Sequence, residues 1–153
     1  MGDALTKRLK QTRFQTPAQE AFLNLLVSAA HVSGLVDGLC AEFGLSHQQY
    51  NILRILRGVY PEGYACGEVA ERMLDRAPDV TRRIDALVKS GLVSRGRLSQ
   101  DRRVVITKIT EEGLALLVRM EPRLTEMGRH FEERLSEAEC QEFSRLCEKL
   151  YGE

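Results

Sequence analysis

The 153-residue chain has no formal net charge, since 22 Lys and Arg are matched by 22 Asp and Glu. General basicity is therefore excluded as a way of holding a polyanion. No uninterrupted apolar run approaches membrane-spanning length, and the opening residues, Met1-Gly2-Asp3-Ala4-Leu5-Thr6-Lys7-Arg8, hold no apolar signal core. The expectation is a cytoplasmic protein that makes no membrane contact. Catalytic signatures are missing too: there is no Gly-rich phosphate loop, no nucleophile elbow and no metal-binding helix motif, so neither an enzyme nor a cofactor is expected. The four cysteines, Cys40, Cys66, Cys140 and Cys147, lack the close spacing of a zinc site. A cytoplasmic chain is not expected to pair them as disulfides. His31, His47 and His130 stand singly, which gives no metal site and leaves them structural or solvent-exposed. What remains, 43% apolar and 6% aromatic residues, suits one helical domain with a real core.

The charge is unevenly distributed. From Arg76 to Lys108 there are nine basic residues against three acidic ones, whereas from Glu111 onward six basic residues face eleven acidic ones. Such asymmetry marks a local electrostatic footprint. Within the basic half, Glu68-Val69-Ala70-Glu71-Arg72-Met73-Leu74 reads as a short helix, and Asp79 to Lys89 as a second. Val80, Ile84, Leu87 and Val88 form the apolar stripe of the second helix. Asp79, Arg82, Ala86 and Lys89 occupy its outer face, flanked by Thr81 and Arg83. Pro78 fits the opening turn, where its missing N–H costs nothing. Two short helices joined by a tight turn predict a helix-turn-helix, whose second helix enters a DNA major groove. Gly91 then stops the helix, and Leu92–Leu98 and Val104–Ile109 predict two strands around the basic tip Ser99-Gln100-Asp101-Arg102-Arg103. A basic hairpin in that place is a wing that reaches phosphates or the adjacent minor groove.

These residues resemble the MarR family of winged-helix transcription regulators. The match is carried by Pro78-Asp79-Val80-Thr81-Arg82, Leu87, Gly91-Leu92-Val93, the wing motif Asp101-Arg102-Arg103, and Ile109-Thr110 with Gly113. Leu45-Ser46, Gln49-Tyr50, Leu53 and Leu56 resemble the helix that the family places upstream. Members often have Gly and Ser in the turn, where this chain has Leu74 and Arg76; neither is a usual N-cap, and Asp75 is the nearest substitute.

The expected fold is mainly α with a small β wing: a winged helix-turn-helix over 45–109, flanked by dimerisation helices over 16–44 and 110–153. Residues 1–15 form a basic arm with Lys7, Arg8, Lys10 and Arg13, read as a solvated tail. Thr16-Pro17-Ala18-Gln19 opens the first long helix with a capping box, and Ser46–Gln49 and Ser136–Glu139 are two more. Thr110 caps a helix whose stripe is Leu117, Met120, Leu124, Met127 and Phe131, bent at Pro122. Cys140, Phe143, Cys147 and Leu150 continue that seam. The terminal helices exceed what a winged helix needs for its own core, so a homodimer is expected, as the resemblance also implies; a monomeric bundle is the alternative.

The candidate DNA-binding residues are Pro78, Asp79, Thr81, Arg82, Arg83, Lys89, Arg95, Arg97, Asp101, Arg102 and Arg103. Arg82 is placed to read a base edge, Arg103 to sense a narrow minor groove, and Asp101 to orient an arginine. The resemblance further implies a small aromatic or phenolic effector between the dimer layer and the winged helix, with His31, Tyr50 and Arg54 as candidate lining residues. Cys66, at a helix start, is the candidate redox residue, set against the plainer reading of a small residue that fills the helix entry; packing is the expected role of the other three cysteines. The function implied is a sequence-specific, dimeric repressor on a pseudo-palindromic operator in double-stranded DNA, relieved by a small molecule or by oxidation. The competing reading is a winged-helix protein-interaction module, or a thiol protein, without specific DNA binding.

Overall fold

The computed structural model of the chain describes residues 3–11, 13–75, 79–97 and 104–152. In chain order the elements are α1 (Asp3–Leu9), α2 (Pro17–Glu42), α3 (His47–Arg57), β1 (Tyr64–Ala65), α4 (Cys66–Arg72), α5 (Val80–Lys89), β2 (Val93–Arg97), β3 (Val105–Ile109), α6 (Glu111–Glu132) and α7 (Glu137–Tyr151). The mainly helical fold with a small antiparallel sheet is the one expected.

Local chemistry sets most of these boundaries. The Ser46 hydroxyl accepts the Gln49 N–H at 3.2 Å while the Gln49 carboxamide accepts the Ser46 N–H at 2.9 Å, a closed capping box. Ser136 and Glu139 form the same reciprocal pair at the start of α7. Thr16 caps α2 by accepting the Gln19 N–H at 3.1 Å, but the Gln19 side chain turns to the Gln15 N–H, so that box is only half formed. Gly91 sits at φ +75, the left-handed conformation that ends a helix at least cost in glycine.

A single core joins the elements that carry α5. It is built from Leu39 and Cys40 of α2, Ile52, Leu53 and Leu56 of α3, Val69 of α4, Val80, Ile84 and Leu87 of α5, Val93 and Ile109 of the sheet, and Leu116, Leu117 and Met120 of α6. All of these side chains are buried. Truncating one such as Ile84 or Leu53 to Ala costs about 2–5 kcal/mol. The sheet runs β1-β3-β2, with Val93 opposite Ile109 and Arg97 opposite Val105. Thr107 and Ile109 face the core, whereas β2 beyond Val93 is exposed, so the hairpin projects away from the body.

Five expectations need revision. Strand β1, only two residues long, pairs Tyr64 with Thr107 and makes a third strand that periodicity cannot reveal in so short a segment. Residues 3–9 of the basic arm are helical, and Leu5 is buried at 2% exposure, so that part is not a solvated tail. Asp75 does not cap α5; Asp79 holds the N-cap position, and its carboxylate bonds arginines instead of backbone N–H groups. An 18-residue window of α2 has mean hydropathy 1.4, making α2, among the described residues, the one helix long and apolar enough to cross a membrane. Ser, Gly and His residues interrupt its apolar runs, which hides that length from inspection. Finally, Leu116, Leu117 and Met120 place the first half of α6 within the winged-helix core, not in a separate layer.

The start of α6 is held by a close backbone approach. Thr110 caps it through the Gly113 N–H at 3.1 Å and donates its hydroxyl to the Gly91 carbonyl at 2.7 Å. A Cβ on Gly113 would collide with the Leu92 carbonyl oxygen and the Ile109 side chain. Gly113→Ala should therefore lower stability by roughly 1–3 kcal/mol, the usual cost of overpacking. Chemical denaturation reads this directly, and a variant as stable as the parent would refute the close approach.

Candidate nucleic-acid interface

Helix α5 is anchored by the complete burial of Ile84 and Leu87, with Val80 at 4% exposure. That anchoring turns Thr81, Arg82, Ala86 and Lys89 outward. The outer face is basic but not uniformly free. Arg82 is 83% exposed and donates through Nη2 to Asp79 Oδ2 at 2.7 Å. Arg83 is 23% exposed; its Nε donates to Asp79 Oδ1 at 2.9 Å and its Nη1 to Gln48 Oε1 of α3 at 3.2 Å. The two guanidiniums, Arg82 foremost, hold the Asp79 carboxyl below its usual range.

The wing is tied to the same helix. Arg95 of β2 pairs with Asp85 of α5 at 2.5 Å, which braces the hairpin against α5. Arg97 lies exposed at the end of β2, next to the tip. Thus Thr81, Arg82, Lys89 and Arg97 are exposed, Arg82 while paired with Asp79, and Asp79, Arg83 and Arg95 are engaged in intramolecular pairs. Pro78, Asp101, Arg102 and Arg103 lie outside the described residues.

Sequence reasoning missed three supporting residues: Gln48, Asp85 and His47. His47 Nδ1 lies 3.0 Å from Asp37 Oδ1 of α2, and Nε2 lies 3.2 Å from Asp75 Oδ2 in the turn before α5. No sequence signal links positions this far apart. His31 and His130 are likewise brought together, with ring centroids 6.3 Å apart.

Of the candidate effector residues, His31 lies on α2 and Tyr50 and Arg54 on α3. Tyr50 and Arg54 face each other on α3, with the guanidinium 6.0 Å from the ring centroid. A groove of about 360 Å³ opens between α2 and α6 instead, lined chiefly by Gly34, Gly38, Leu39, Arg123 and Met127. His31, Tyr50 and Arg54 are not among its lining residues. Arg123 spans this groove, donating from Nη2 and Nε to Glu42 at 2.7 and 3.0 Å. Cys66, half-buried, sets its Sγ 3.3 Å from Thr81 Oγ1 of α5. Burial first, then Asp37, pushes the Cys40 thiol up to about 11, which keeps it protonated and unreactive at neutral pH.

Residues 45–105 match the family model of the MarR family. A MarR transcription factor from Planctomyces limnophilus is 40% identical, with 89% of this chain and 98% of that one covered and a TM-score of 0.69. The chain belongs to the MarR family. A further relative of this family member is the HTH-type transcriptional repressor YetL of Bacillus subtilis, 28% identical over 67% of this chain and 62% of the relative. A MarR family regulator from Streptomyces coelicolor, solved in complex with DNA, shares the fold at 20% identity and TM-score 0.77, covering 91% of this chain and 89% of its own.

The Asp79 pairing has a pH signature. A carboxyl depressed in the folded chain adds stability that is complete above its ordinary value of 3.8 and is lost as pH falls through the lower folded value. Asp79→Asn should thus be less stable than the parent at neutral pH, and the difference should shrink below about pH 4. Acid denaturation curves that run parallel for the two proteins would contradict it.

Proposed function

We propose that this DNA-binding transcription regulator acts as a twofold dimer that places one α5 in each of two successive major grooves of a pseudo-palindromic operator. The observation that carries the reading is the exposed basic face of α5, held outward by the buried Val80–Ile84–Leu87 stripe. Arg82 is the base-reading residue, because it is 83% exposed on the outer face of α5. With one Nη2 proton given to Asp79, its second Nη2 proton and a neighbouring N–H still make a pair of parallel donors that can address guanine. Thr81, Lys89 and Arg97 supply contacts to the sugar-phosphate backbone. The tip residues Arg102 and Arg103, with Asp101 to direct them, extend this contact to the neighbouring minor groove.

Dimerisation is supported by two helices that leave apolar surface uncovered within the chain. Helix α7 has no buried residue, and Phe143, Leu146, Leu150 and Tyr151 are exposed along it. Helix α2 buries only Leu39 and Cys40 and exposes Phe22 and Leu26. Covering these faces with a second copy sets two α5 helices for half-sites about one helical turn, ~34 Å, apart. Repression by occupancy of the operator is the regulatory direction we favour, in line with the name of the Bacillus relative. The α2–α6 groove has the size of a small-ligand site and is where an effector would act. Oxidation is a second input, favoured by the Cys66–Thr81 contact between α4 and the reading helix.

Truncation at Thr110 would remove core residues and so cannot test dimerisation alone. The double variant Phe143→Glu/Leu150→Glu changes only exposed positions. It should convert a dimer to a folded monomer by light scattering, with circular dichroism little changed and operator affinity reduced by a hundredfold or more, on the order of the loss of one half-site. A dimeric variant with parental affinity would refute the assembly. Cys66→Ser should retain DNA binding while losing any response to mild peroxide; an unchanged response would remove the oxidation arm.

A further inference from the structure

Two adjacent arginines at the start of α5 have different surroundings. Arg82 projects into solvent, whereas Arg83 is three-quarters covered and has two of its donor nitrogens committed to protein acceptors. Between them lies the Asp79 carboxylate, each oxygen taken by a different guanidinium. Beyond Arg83 lies Gln48, in the first turn of α3. The four side chains form one continuous line of hydrogen bonds, from the α3 carboxamide through Arg83 and Asp79 to Arg82.

Each link restricts the next. Gln48 offers Arg83 a neutral acceptor, so Arg83 keeps its charge for Asp79. With Oδ1 held by Arg83, the Asp79 carboxylate has a fixed orientation, and Oδ2 presents a fixed acceptor to Arg82. A long arginine side chain ordinarily loses rotamer freedom when it docks; one already held at Nη2 loses less and arrives in a set direction. Asp79 also stands where negative charge opposes the approach of phosphate. A group that opposes binding yet fixes a reading arginine contributes to selectivity more than to strength.

We infer that Gln48 and Arg83 are positioning residues for base reading: held on α3 by Gln48, Arg83 fixes Asp79, and Asp79 aims the Arg82 guanidinium. Arg83 therefore acts within the protein, not as a contact to DNA. The inference rests on Arg82 reading a base. It makes the sequence preference of α5 depend on the position of α3, which packs against α2, α5 and α6.

The test uses a duplex recovered by the parent protein from a random-sequence DNA pool, together with duplexes carrying one base change at each position. Anisotropy titrations at several salt concentrations give discrimination at each position and the salt slope. Arg82→Ala identifies the base it reads through a roughly 5- to 150-fold loss of discrimination there. Gln48→Ala and Arg83→Gln should each lose discrimination at that same position, by about tenfold, with the other positions and the salt slope unchanged. Neither should add to the loss in an Arg82→Ala background. Gln48→Met, which keeps the length and packing of the side chain but offers Arg83 no oxygen acceptor, should lose discrimination as Gln48→Ala does, a loss that a purely packing role for Gln48 would not give. If Arg83→Gln instead weakens binding to all duplexes alike and flattens the salt slope by about one unit, Arg83 is a phosphate contact and the inference fails. Losses that add between Gln48→Ala and Arg82→Ala also overturn it. Should Arg82→Ala lose discrimination at no position, the assignment of Arg82 as reader falls, and the positioning role with it.

Discussion

The fold depends on the burial of one face of α3. Ile52 and Leu53 are fully enclosed and Leu56 is 1% exposed, and around them pack α2, α4, α5, α6 and strand β3. An eleven-residue helix cannot sustain itself in water, so its order comes from this enclosure. The neighbouring elements in turn are oriented by which side of α3 they meet. Helix α5 is fixed from behind, α6 begins at the strand pair and runs past the same residues, and only the C-terminal end of α2 reaches the cluster. The end of α6 past Met127, the bulk of α2 and all of α7 lie beyond that hub.

The polar contacts of α3 lie beside its apolar face. Its N-terminal turn supplies a capping serine, a histidine facing Asp37 of α2 and Asp75 of the turn, and a glutamine bonded to Arg83. His47 thus bridges the long helix and the turn before the reading helix, while Gln48 bonds the reading helix itself. A rigid hub with short polar links on one end transmits displacement with little loss, because packed interiors do not deform gradually.

Much of this was legible in the residues. The apolar stripe of α5, its outward face, the glycine at φ +75 and two of three capping boxes follow from local patterns, since each involves positions no more than eight apart. The family resemblance, carried by the same segment, extended that reading to the wing and the flanking helices. What escaped is non-local or too short for periodicity. Strand β1 has two residues, the α2–α6 groove is lined by residues far apart in sequence, and Gln48 meets Arg83 across 35 positions. Asp79 was recognisable as belonging to the DNA-facing helix, but its partners decide what it does, and partners are a property of the fold. Arg83 shows the same: on a helical wheel it flanks the exposed face, and only the neighbouring α3 shows that it points inward.

Helix α7 carries a consequence for the life of the protein in a cell. A segment with no enclosed residue of its own owes its order to whatever covers it, and with a second copy as the cover that order follows mass action. Newly made chains at low abundance would carry a frayed, apolar C-terminal segment, the kind of feature that quality-control proteases select. Accumulation would hide it. The steady-state level of such a regulator then sharpens itself: scarce chains are cleared faster than abundant ones, and the change between an empty and an occupied operator becomes steeper in protein concentration than binding alone would make it.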